Sequence, residues 1–202
     1  PLESGQAGSE LAGSTLIVLG DVSGKGLKAA MIVSLIVGAI RTIAETTAAP
    51  SEVLACLNRR LSGRLHGGFA TCIVLHIDAN GRCAIASAGH PGPFLNQREV
   101  ELPSALPLGI VPDAQYEERS LELQPGDYLA LYTDGLLEAR SAGGEIFSFE
   151  RLEELFAARP DASEASDAAV TFGQEDDITV VTLSRSQTPD SKRPALVVVT
   201  AS

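Results

Sequence analysis

The stretch FATCIVLHIDANGRCAIAS, residues 69–87, decides the fold class. Two apolar runs flank Ala79-Asn80-Gly81, and an Asn-Gly pair so placed marks a hairpin turn. The expected strands are 69–78 and 82–87. Upstream, the apolar run LIVL at 16–19 closes on Gly20-Asp21 and reads as a buried strand. GDVSGKG at 20–26 is a glycine-punctuated loop. Residues 27–48 carry a helical pattern that is apolar nearly all round, which predicts burial on several sides. A second helix is predicted from Pro50-Ser51-Glu52, with Ser51 as N-cap, to about Leu65.

Downstream, AGHPGP at 88–93 breaks the chain, and 93–96 with 99–102 forms a second, shorter hairpin. LPLGIVP at 106–112 is a proline-marked loop. Strands are expected at 117–123 and 128–133, around the turn Gln124-Pro125-Gly126-Asp127. Helices follow at 149–158 and about 162–172, then a last strand at 178–183 behind the acidic turn 174–177. Several hairpins, segregated helices and no βαβ alternation predict an α+β domain with largely antiparallel sheets. That domain spans 15–184. Residues 1–14, polar and rich in Gly and Ser, read as a linker or frayed entry. Residues 185–202 read as a flexible tail, within which ALVVV at 195–199 is able to join a sheet edge.

The 202 residues are 45% apolar and 20% charged, a globular composition for one domain. The net charge of -11 argues against a nucleic-acid partner, which needs a basic footprint. Of 26 acids, 18 fall within residues 101–183. Either that part is a solvated face, or some of its carboxylates converge on a cation. Cys56, Cys72 and Cys83 make no CxxC and no zinc spacing, and an odd number of scattered thiols suits a reducing, cytoplasmic compartment. No secretory signal opens the chain, and the opening Pro1 is expected of a piece of something longer. The most apolar run, AAMIVSLIVGAI at 29–40, has 12 residues. A membrane span needs about 20.

Three motifs fail. GDVSGKG is no phosphate loop, because Leu19 and Gly26 stand where Gly and Ser or Thr are required. Ser23 lies in GDVSG, not GxSxG. His66, His76 and His90 share no metal-ligand spacing; His76 sits inside a strand and His66 ends a helix, where positive charge is favourable. A carboxylate pattern remains: Asp21 after the first strand, Asp134 after the strand 128–133, and Asp176 and Asp177 before the last strand. Converged carboxylates repel unless a cation joins them, and all-oxygen donors suit magnesium or manganese before zinc. From spacing alone two readings stay open, a cation site or ordinary turn residues.

GDVSGKG (20–26), AGHPGP (88–93), PLG (107–109), YTDGLLEAR (132–140) and DDITVV (176–181) occur in this order. Together they resemble the bacterial SpoIIE-like branch of the PPM phosphatases, the metal-dependent serine/threonine phosphatases, over about residues 15–183. The resemblance implies an antiparallel β-sandwich flanked by helices, α-β-β-α, with a two-metal site at one end. It implies hydrolysis of phosphoserine or phosphothreonine on a STAS-type, anti-anti-sigma-like regulator. Two divalent ions, Mn2+ or Mg2+, are implied. Carried over, Asp21 would bridge both, the Val22 carbonyl would bind one, and Asp134 and Asp176 would add carboxylates, with Asp177 as alternate to Asp176. Two metals provide an activated water without a protein nucleophile, which fits the failed Ser and Cys motifs. A sensor domain in the full-length chain and a homodimer are further options.

Other residues carry two readings each. Lys25 would attract the substrate phosphate, or is a plain loop lysine. His90 would act as an acid, or as a loop residue between Gly89 and Pro91. Glu138 follows Asp134 closely. Arg59, Arg60 and Arg64 would dock an acidic partner, or simply complement a helix dipole. Asp78 and Asp127 read as turn residues. The pattern also departs from the family: relatives carry an earlier strand with Gly-Gly-Asp, whereas only Glu3 and Glu10 precede Asp21 here. The first strand and one metal ligand are therefore expected to be missing, through truncation or degeneracy. A degenerate module that binds a regulator without turnover is the alternative to an active enzyme.

Overall fold

A computed structural model describes residues 14–65, 67–186 and, as backbone, 195–201. Two sheets form its centre. The first has strands β1 (Thr15–Val22), β2 (Ala70–Ile77), β3 (Arg82–Ala88), β6 (Arg119–Glu122) and β9 (Ala195–Ala201), in the order β6-β3-β2-β1-β9. The second has β4 (Phe94–Leu95), β5 (Arg98–Glu99), β7 (Tyr128–Tyr132) and β8 (Val180–Ser184), in the order β5-β4-β7-β8. All pairings are antiparallel except β1 with β9.

Side chains alternate across a strand, so each sheet has two faces to cover. In β1, Ile17 and Leu19 face inward with Ile73, Leu75, Leu129 and Leu131, forming the core between the sheets. Leu16 and Val18 face outward, under helices α1 (Leu27–Ile43) and α2 (Pro50–Leu61). On the far side, Phe94, Tyr128 and Tyr132 of the second sheet meet α3 (Gly135–Glu138), α4 (Phe149–Ala157) and α5 (Ala162–Gly173) through Leu136, Leu152, Phe156 and Ala165. The layers are therefore α-β-β-α, as expected. The hairpin turn at Asn80-Gly81 is present, with Gly81 at φ 84°.

Several local expectations are corrected. Helix α1 stops at Ile43 rather than Ala48, because the Thr46 hydroxyl bonds back to the Ile43 carbonyl at 2.8 Å and the Thr47 hydroxyl turns to Glu52 at 2.6 Å. It is also not buried on several sides. Leu27 and Met31 are exposed, since only one face meets the sheet. The N-cap of α2 is Ala49, with Pro50 opening the helix, a position where its missing N–H costs nothing. Ser51 instead donates its N–H and its hydroxyl to Glu118, at 2.8 and 2.7 Å. The helix ends at Leu61, short of Leu65.

The expected flexible tail contains β9, whose Ala195–Ala201 lies parallel to β1 with Asp21 opposite Ala201. The linker expected at 1–14 falls, apart from Ser14, outside the described residues, as does His66. No helix among the described residues is long and apolar enough to cross a membrane.

Candidate metal centre

Strand β1 runs through the core and surfaces at its C-terminal end. Leu19 is fully buried, Asp21 half-buried and Val22 buried again as the last strand residue. Asp21 lies opposite Thr71 of β2. The approach is close at Gly20, where a Cβ would come within 2.8 Å of the Thr71 carbonyl oxygen, so no side chain fits there. Beyond Val22 the loop is tied down: Ser23 donates its N–H to the Phe69 carbonyl at 3.0 Å, and Phe69 N–H donates to the Ser23 hydroxyl at 2.8 Å.

The second acid comes from β7, five buried residues followed by buried Thr133. Thr133 N–H donates to the Thr179 carbonyl at 3.0 Å, and Thr179 N–H donates to the Thr133 hydroxyl at 2.9 Å. The same hydroxyl reaches the Asp177 carbonyl at 3.3 Å. Asp134 then stands at the N-cap of α3 without spending its carboxylate on a capping bond. Gly135 is needed here, because a Cβ would overlap the Asp177 carbonyl. The end of β7 and the acidic turn before β8 are thus packed backbone to backbone.

On that turn Asp176 and Asp177 are exposed. Asp176 Oδ1 accepts the Asp177 N–H at 3.0 Å and lies 3.3 Å from Lys25 Nζ. The Lys25 pair joins the loop after β1 to the turn before β8. An open cleft is lined there by Lys25, Gln174, Glu175, Asp176 and Asp177. Burial and then the charge of Asp134, with smaller contributions from Asp176 and Asp177, push the Asp21 carboxyl up to about 6, against the Val22 N–H, which favours the charge.

Asp21, Val22, Asp134, Asp176 and Asp177 therefore come to one end of the sandwich. Among the described residues, no three acids, histidines or cysteines are drawn together tightly enough to form a ready cage. Mutually repelling carboxylates with no His or Cys among them nevertheless have the donor chemistry of a hard divalent cation.

His90, read from the sequence as an acid or a loop residue, is buried. Its Nδ1 lies 2.9 Å from the Thr71 hydroxyl and its Nε2 3.1 Å from the Tyr132 carbonyl. Thr71 and Thr133 carried no signal as strand threonines. Glu138 is exposed one turn after Asp134, with its N–H donated to the Asp134 carbonyl at 2.9 Å. Arg59 and Arg60 bond locally, to Cys56 Sγ and to the Ala39 carbonyl, within the α1–α2 layer. Asp78 and Asp127 are turn residues, accepting from Asn80 and Arg82, and from Gln124 and Asn96.

Fold and site define a two-sheet α+β domain with an acidic cleft at its strand ends. The sequence pattern of the family Stage II sporulation protein E (SpoIIE) matches residues 12–186, and the chain belongs to this family. It is 33% identical over 135 residues to the phosphoserine phosphatase RsbU of Bacillus subtilis, covering 63% of this chain and 40% of that protein. It thus spans about two fifths of that relative's length. The structure of the RsbU and RsbW domains of Rv1364c from Mycobacterium tuberculosis superposes with a TM-score of 0.69 at 26% identity, over 88% of this chain and 61% of that one. The PP2C phosphatase domain of SpoIIE from Bacillus subtilis gives 0.71 at 20% identity, over 85% and 53%. The expected phosphatase-type sandwich is thereby the observed fold.

Proposed function

We propose that this chain is the catalytic domain of a serine/threonine phosphoprotein phosphatase acting in partner-switching signalling. The observation that carries the reading is the convergence of Asp21, Asp134 and the Asp176-Asp177 turn, tied together by the Lys25–Asp176 pair. Asp21, the Val22 carbonyl, Asp134 and Asp176, with Asp177 as alternate, would hold two divalent ions, Mn2+ or Mg2+. Bound there, such ions supply Lewis acidity toward a phosphoryl oxygen and toward water. The chain itself contributes a half-buried carboxylate on a rigid strand, a second carboxylate left free at a helix start, and a turn that presents two more. Lys25 adds a positive charge at the rim, able to exchange Asp176 for a substrate phosphate. The substrate class is a phosphorylated STAS-domain regulator, as the motif resemblance to SpoIIE-like phosphatases implies. A sensor domain and a homodimer belong to the proposal for the full-length protein, as does a cytoplasmic location.

The lack of a ready cage among the described residues favours one second reading, a phosphatase-like module that binds the regulator without turnover. Phosphate release from a phosphoserine-bearing STAS protein separates the two. Release with Mn2+ or Mg2+ and none with EDTA supports the enzyme; tight binding with no release supports the module.

A further inference from the structure

The two sheets meet through apolar side chains, whose contacts are non-directional. Yet the acids come from both sheets, Asp21 from β1 and Asp134 from the end of β7. Their separation therefore depends on how one sheet is seated on the other. His90 lies between them. Its Nδ1 faces the hydroxyl of Thr71, which lies opposite Asp21 across the β1–β2 ladder. Its Nε2 faces the carbonyl of Tyr132, two residues before Asp134.

A carbonyl only accepts, so Nε2 carries the hydrogen and Nδ1 accepts from the Thr71 hydroxyl. The backbone of His90 is held as well. Its N–H donates to the Ser87 hydroxyl at 2.9 Å, and that hydroxyl returns a bond to the His90 carbonyl at 2.9 Å. Pro91 follows and restricts the backbone at His90.

We propose that His90 is a positioning residue that fastens the Asp134 strand to the strand beside Asp21 and so sets the distance between the two carboxylates. The proposal rests on the metal-site reading above. Burial holds the imidazole down at about 4, so it is neutral at neutral pH and adds no positive charge to compete with a cation. Any buried imidazole needs its nitrogens matched; here the two partners, Thr71 and Tyr132, belong to different sheets, so the ring spans them.

The test is Mn2+ binding by isothermal titration calorimetry, with the fold followed by circular dichroism. Thr71→Val removes the hydroxyl, and His90→Gln places an amide donor where Nε2 meets Tyr132 while leaving no acceptor at the Nδ1 position facing Thr71. Each should weaken Mn2+ by about tenfold, the usual cost of losing a group that orients a ligand. Thr71→Ser should bind as the unaltered chain does. The double variant should be no worse than the weaker single one, because both break the same link. In the unaltered chain, 15N NMR should show His90 protonated at Nε2.

An unchanged binding constant in folded Thr71→Val, additive losses in the double variant, or an Nδ1-protonated ring would each overturn the positioning role. No Mn2+ binding by the unaltered chain would overturn the metal site together with it, so the two failures are distinct. Should His90→Gln fail to fold, Thr71→Val and the tautomer still decide.

Discussion

The two sides of the acidic cleft are built differently. Asp21 sits at the end of a strand whose residues Leu16 to Leu19 are at most 1% exposed. Asp176 and Asp177 sit on an exposed turn, held by a local N–H bond, a surface ion pair and the backbone contact with Gly135. Core packing fixes one side before any ligand arrives, and the other is held by its own turn. Such a cleft presents preset carboxylates from the strand ends and sets the exposed pair Asp176 and Asp177 beside them. Asp134, on a buried strand end but free of a capping bond, belongs with the preset side.

Breaking the preset side should have the largest effect. Asp134→Asn keeps the shape and removes the charge, and turnover of p-nitrophenyl phosphate with Mn2+ should fall by about a thousandfold, roughly 4 kcal/mol of barrier. A rate within a few-fold of the unaltered chain would remove Asp134 from the site.

The pH dependence of stability sharpens the comparison next, because two groups on the preset side oppose each other. His90 has a folded value of about 4, below the ordinary 6.5, so its contribution is complete above pH 6.5 and is lost as pH falls toward 4. Asp21 has a folded value of about 6, above the ordinary 3.8, so the metal-free protein loses stability as pH rises from 4 to 6. In Asp21→Asn the His90 effect dominates, and denaturant melts should show stability rising by about 3 kcal/mol from pH 4 to 6.5.

The contact between the two sides is tested by Gly135→Ala. Its Cβ would press on the Asp177 carbonyl, and the overlap should cost about 2 kcal/mol in urea unfolding. The smallest effect is the repulsion stored at Asp21. Asp21→Asn should stabilise the metal-free protein at pH 7 by about 1 kcal/mol, the shift being reduced by solvent at a half-exposed group.

Much of this was legible in the chain. The Asn80-Gly81 turn and the apolar runs around it mark the central hairpin locally. The acids at strand ends could be named because each follows or precedes an apolar run. The end of α1 and the start of α2 were not legible, since they depend on which partners the hydroxyls of Thr46, Thr47 and Ser51 take: the Ile43 carbonyl, Glu52 and Glu118. The ALVVV run could be named as able to join a sheet edge, and β9 does so; that its neighbour is β1, in parallel, is set by tertiary pairing and not by the run itself. The Thr71–His90–Tyr132 link depends on strand register and on the seating of one sheet upon the other, which leave no local pattern.

The central claim, that these strand-end carboxylates receive a divalent cation, is tested most directly by thermal unfolding with and without Mn2+. A ligand at about 100 times its dissociation constant that binds only the folded state adds about 2.7 kcal/mol. The melting temperature of the unaltered chain should rise with Mn2+, while that of Asp21→Asn should stay nearly constant. Equal shifts in the two proteins, or no shift in either, would contradict the account.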